Sequence, residues 1–121
     1  MSIFKREKKF MIDAKDIKRL VPDMGYCLAS DMITVDGKKV GYMYREQGDR
    51  PDDSGWRFFA GQEGRLYCNN PKHFEIYSVN TIANYDSDII KYLDAPIGSA
   101  FERDSEADGR FIEIESDSSA N

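Results

Sequence analysis

SGWRFFAG, residues 54–61, is the stretch on which the reading of this chain turns. It holds the chain's one tryptophan and two adjacent phenylalanines, bracketed by glycines. As a strand, WRFFA projects Trp56, Phe58 and Ala60 to one side and Arg57 and Phe59 to the other. A strand with large apolar groups on both faces is covered twice and belongs in the middle of a sheet. Trp56 and Phe58 are therefore expected to anchor the sheet inward, with an interface role for Trp56 as the alternative. The preceding run GDRPDDSG, residues 48–55, combines three aspartates, a proline and two glycines. It predicts an exposed loop, with its acids facing outward.

Working outward from this strand, YCLASDMITVDGKKVGYMYRE (residues 26–46) is rich in β-branched, aromatic and small residues. Its Asp36-Gly37 predicts a tight hairpin, because a type I′ turn needs positive φ at both central residues. Ile33 then faces Val40, and Val40, Tyr42 and Tyr44 line one face, with Gly41 and Met43 on the other. Upstream, IDAKDIKRLVP (residues 12–22) predicts a short helix. Asp13 is its N-cap, Asp16 sits in a capping-box-like position, and Ile12 and Ile17 form a staple. Ile17, Leu20 and Val21 share a face, and Pro22 ends the helix.

Downstream, RLYCNNPKH (residues 65–73) is ambiguous and FEIYSV (74–79) reads as a strand. In NTIANYDSDIIKYLDAP (80–96) Asn80 caps a short turn holding Ile82 and Tyr85. Asp86 or Ser87 caps a second helix carrying Ile89, Tyr92 and Leu93 on one face, with Asp88 in its first turn and Pro96 closing it. GSAFER (98–103) and RFIEIE (110–115) alternate as two strands, with a turn at Asp108-Gly109. The element order predicts an α+β fold: a single domain with a mainly antiparallel sheet and two or three short helices. Its expected limits are residues 11–115, after a basic extension over 1–10 and before a polar tail over 116–121.

Composition narrows the function. At 121 residues, 40% of them apolar, the chain can bury roughly two-thirds of its unfolded surface without staples. The formal charge of −5, from 22 acids against 17 bases, argues against a nucleic-acid partner, since backbone binding rests on Lys and Arg. It suits a basic protein partner. The start, MSIFKREKKF, is basic with no apolar run after it, and reads as a solvated tail, with a docking arm as the alternative. No secretory signal or membrane span is read in the sequence, so a cytoplasmic protein with no membrane partner is expected.

The residue types that carry chemistry are sparse. Cys27, Cys68 and His73 are too few for a structural zinc site, and the cysteines read as buried thiols of a reducing compartment. A Cys/His pair would have to recruit the one histidine from an ambiguous loop. Asp49, Asp52 and Asp53 sit where solvation keeps carboxylates ordinary, and Pro51 breaks EF-hand spacing. Neither phosphate-loop pattern occurs. No catalytic residue, metal or cofactor is assigned. Protein binding remains, with Tyr42, Tyr44, Asp49, Asp52, Asp53 and Arg57 as the candidate partner-binding residues. Aromatics anchor interfaces, and a rim of acids steers a basic partner.

Three segments together, TVDGKKVGYMYRE (34–46), DSGWRFFAG (53–61) and NTIANYDSDIIKYLDAPIGSAFER (80–103), resemble the bacterial immunity-protein-thirty-three-like family, earlier a domain of unknown function. The resemblance covers roughly Met11 to Glu115; the third segment is its most specific part. Ser2–Phe10 and Gln62–His73 depart from it. It implies an α+β fold and a protein that neutralises a toxin encoded beside it by direct binding. It carries no catalytic residues over. The alternative is a housekeeping interaction or regulatory module unrelated to toxins; an enzyme of unfamiliar chemistry is a third reading.

Overall fold

The computed structural model describes residues 8–104 and 109–115. The first seven residues of the basic start, Asp108 of the expected turn and the tail over 116–121 lie outside the described residues. Among the described residues six strands form one sheet: β1 Tyr26–Ser30, β2 Tyr42–Arg45, β3 Asp53–Phe59, β4 Phe74–Ser78, β5 Ala100–Asp104 and β6 Arg110–Ile114. Three short α-helices, α1 Asp31–Thr34, α2 Arg65–Cys68 and α3 Val79–Tyr85, join them. Single 3₁₀ segments run over Ala14–Asp16, Pro71–His73 and Ser87–Tyr92. The strand order is β4-β1-β3-β2-β5-β6. All neighbours are antiparallel except β1 and β3, which run parallel. The α+β class is as the element order predicts and the central place of WRFFA as the alternation does, but the core helices cover one face of this strand and not the two expected.

The core lies on one face of this sheet. Cys27, Ala29, Met43, Trp56 and Phe58 point into it from three adjacent strands and are fully buried. α3 and the 3₁₀ turn after it cover them with Val79, Ile82, Ala83, Ile89 and Leu93. Trp56 and Phe58 stack with ring centroids 5.9 Å apart. The indole N–H of Trp56 donates to the Leu93 carbonyl at 3.2 Å, so its polar atom is satisfied inside.

Two local expectations give way to tertiary structure. There is no hairpin at Asp36-Gly37, and β1 and β2 are not paired: β3 lies between them. Ser30 caps α1 instead, its hydroxyl accepting from the Met32 N–H at 3.1 Å. Gly37, at φ 79°, closes that helix, its N–H donating to Ile33 while the Lys38 N–H donates to Met32. A left-handed glycine after a helix does the same conformational work as one in a hairpin, so the dipeptide alone does not distinguish them. Val40 joins the core with Met43 instead of lining up with Tyr42 and Tyr44.

The predicted helix over Asp13–Val21 is also absent. Only Ala14–Asp16 forms a turn, Asp13 makes no side-chain cap, and Ile17 is extended. The backbone here is held by side chains of α3. Asn80 Oδ1 accepts from the N–H groups of Leu20 and Val21 at 2.7 and 3.0 Å. Its Nδ2 donates to the Lys18 carbonyl, and Asn84 accepts from the Lys18 N–H. Val21 is buried, whereas Leu20 stays exposed. Asn80 is thus a clamp, and Ser78 is the cap of α3. Of the two caps proposed for the next turn, Asp86 is the one used, accepting from the Asp88 N–H.

Candidate protein-binding face

The helices of the core cover one face of the sheet; the candidate site is on the other and begins with an irregularity in β3. Tyr26 pairs with Asp53, but two residues further along β1 Leu28 pairs with Arg57, four residues further along β3. The extra residues form a bulge around Gly55, at φ 86°. A side chain there would run into the Glu46 carbonyl. In a regular strand, residues four apart are separated by about 13 Å. The bulge brings Asp53 and Arg57 into a two-pronged ion pair, with Nη1–Oδ1 at 3.0 Å and Nη2–Oδ2 at 2.8 Å. Arg57 Nε adds a bond to Glu46 Oε2 at 2.7 Å.

Asp53 is saturated. Its Oδ1 also accepts from the Gly55 N–H and its Oδ2 from the Asp49 N–H, both at 2.9 Å. The Arg57 guanidinium, against the cost of burial, and these backbone donors hold its pKa down at about 2. The expectation that all three loop acids face outward is therefore corrected. Asp53 is buried and ties GDRPDDSG into an ordered turn, while Asp49 and Asp52 are exposed at its tip. Asp52 still contributes its backbone, its carbonyl accepting from the Tyr26 N–H at 2.9 Å.

Beyond this pair the face is aromatic. Phe59 stacks on Tyr44, with centroids 6.0 Å apart and planes 13° from parallel. It also meets Tyr42 at 5.8 Å and the edge of Phe74 on β4 at 5.7 Å. Register places Ile76, Leu28, Arg57 and Tyr44 in one row across β4, β1, β3 and β2. The ambiguous stretch 65–73 folds beside this row as a wall. Its Tyr67 stacks on His73 at 4.0 Å and meets the edge of Phe74 at 5.9 Å. Between wall and sheet is a cleft of about 390 Å³. Leu28, Tyr44, Phe59 and Phe74 give it apolar surface, Cys68 and Pro71 belong to the wall, and Glu46 and Arg57 are its charged lining.

Of the six residues singled out in the sequence, Tyr42, Tyr44 and Arg57 share this face, and Asp49 and Asp52 stand on the adjacent turn. Phe59, Phe74, Glu46 and Cys68 were not singled out. Alternation already puts Phe59 beside Arg57, so that signal was present. Phe74 and Cys68 depend on how β4 pairs and how 65–73 folds, which no local pattern states. Cys68 is exposed, contrary to expectation, and Cys27 is buried, with burial driving its thiol pKa upward. The ring of His73 lies with Nδ1 2.9 Å from the Tyr67 carbonyl. Among the described residues no three His, Cys, Asp or Glu are grouped to hold a metal ion, and no helix is long and apolar enough to cross a membrane.

The model of the immunity protein Imm33 domain matches residues 27–115. No curated protein and no solved structure matches. The matched residues run from within β1 to the end of β6, so they include nearly all of the sheet, the helices of the core and the wall over 65–73. The chain belongs to the Imm33 immunity protein domain family.

Proposed function

We propose that this protein neutralises a bacterial toxin by binding it directly, through the aromatic face of its sheet, and performs no chemistry of its own. The observation that carries the reading is the asymmetry of the sheet. The core helices cover one face, while on the other, bordered by the wall over 65–73, half-buried Tyr44, Phe59 and Phe74 line an open cleft with half-buried Tyr42 beside Phe59. Such aromatics offer large contact area at small entropy cost. Asp49 and Asp52 at the adjacent tip, together with the net charge of −5, favour a basic partner over an acidic one. Tyr42, Tyr44, Asp49 and Asp52 act as direct contacts. Asp53 and Arg57 act beneath them, holding the turn and the floor of the face in place.

Co-expression with whatever protein is encoded beside this chain tests the reading. The chain is expected to restore growth and to co-purify with that protein. Replacing Tyr44 by Ala together with Asp49 and Asp52 by Asn is expected to abolish both without loss of fold. Growth restored equally by the triple variant would place the contact elsewhere. No binding and no rescue would leave the housekeeping interaction module as the better reading.

A further inference from the structure

The charged end of the cleft does not balance. Arg57 supplies one positive charge, whereas Asp53 and Glu46, both bonded to it, supply two negative ones. Arg57 offers nothing to a visitor: its guanidinium donates to Asp53, Glu46 and the Trp56 carbonyl, and its side chain is 5% exposed. Glu46 differs. One oxygen takes Arg57 Nε, but the side chain remains 43% exposed, and among the described residues nothing is seen to donate to the other oxygen. Tyr44 at the same end has its phenol pKa raised, by burial first and then by the charge of Glu46.

An anionic group entering here would meet Glu46. A purely aliphatic one would strip water from that carboxylate without replacing it. A long side chain with an apolar stem and a cationic head satisfies both parts, because the stem covers aromatic surface while the head meets the acid. Resting on the toxin-binding reading above, we infer that the cleft receives an arginine or lysine side chain of the bound protein, its stem along Phe59 and Phe74 and its charged head at Glu46. The cleft volume of about 390 Å³ leaves room for such a side chain with its backbone at the rim.

The test uses N-acetyl-arginine amide as probe and its neutral isostere N-acetyl-citrulline amide as control, titrated into the intact protein and followed by amide NMR shifts. Arginine amide is expected to shift Leu28, Tyr44, Glu46, Phe59, Cys68 and Phe74 in a saturable way, and citrulline amide to do so at least several-fold more weakly. Glu46→Gln is expected to weaken the arginine response by up to about five-fold, the scale of a partly exposed ion pair. Because Glu46→Gln also alters a bond to Arg57, Cys68→Trp supplies a second variant. It fills the cleft from the wall and is expected to erase the response while leaving the melting temperature unchanged. Equal responses to both probes, or shifts scattered outside the cleft, would overturn the inference. The two readings fail separately. Toxin binding that survives both substitutions rejects the cleft and keeps the toxin. Arginine binding at the cleft without toxin rescue keeps the cleft and rejects the toxin.

Discussion

Asp53 uses both carboxylate oxygens on four donors: two from Arg57 and the N–H groups of Asp49 and Gly55. Its folded pKa of about 2 lies below its ordinary value, 3.8. The stability it contributes is thus complete above the ordinary range and is lost as the pH falls toward about 2. Asp53→Asn is expected to cost about 3 kcal/mol at neutral pH, because it leaves Arg57 buried beside one acid where it had two. The variant should also show a flatter loss of stability than the parent between about pH 4 and pH 2, read by urea melts across that range. Asp52→Asn, one residue away and exposed, should stay within about 0.5 kcal/mol of the parent. Equal melts for the two variants would refute the structural role given to Asp53. Nothing in the string GDRPDDSG separates Asp52 from Asp53. The distinction is made by the bulge at Gly55, and a bulge depends on the partner strand. Alternation within five residues puts Trp56 and Phe58 on one side of the strand and inclines the reading inward, but only the full burial of Trp56 decides between core and interface. Trp56→Ala is expected to cost about 3–5 kcal/mol in denaturant unfolding.

At the scale of elements, what the sequence made readable was whatever a single segment decides. The strands β3, β4, β5 and β6 follow from alternation, and the turn after α3 from its apolar spacing. What failed was decided between segments. Asp36-Gly37 closes a helix because β3 occupies the place beside β1 that a hairpin partner would have taken. Residues 17–21 stay out of a helix because Asn80 and Asn84 supply the hydrogen bonds a helix would have made internally. This strap precedes the region matched by the family model, which begins at residue 27. Asn80→Ala removes the acceptor of two backbone amides, those of Leu20 and Val21, and is expected to cost about 2 kcal/mol. Hydrogen exchange distinguishes its mechanism. The Leu20 and Val21 amides should lose protection far more than the indole N–H of Trp56, which answers to the core. Uniform loss would mean that the clamp holds the whole fold and not the strap alone.

At the scale of the whole molecule, the sheet divides labour between its faces, and β3 belongs to both. Trp56 and Phe58 bind it to the helices, while Arg57 and Phe59, alternating with them, form part of the open face. A substitution that loosens one set shifts the strand carrying the other, so binding variants in β3 need a stability control and variants at the tip do not. The tip acids are also the ones best placed to act before contact. Exposed charges influence approach over about a Debye length, roughly 30 Å at 0.01 M salt and 8 Å at 0.15 M. If Asp49 and Asp52 steer a basic toxin, the association rate constant should fall about ten-fold or more across that salt range. On the proposed binding mode the dissociation rate should change far less, because apolar contacts on the aromatic face would set it. Asp49→Asn with Asp52→Asn should reproduce at low salt much of the slowing that salt produces in the parent. Stopped-flow mixing with the toxin reads both constants. An association rate indifferent to salt and to the double variant would remove the acids from the recognition step and leave the aromatic cleft to account for it alone.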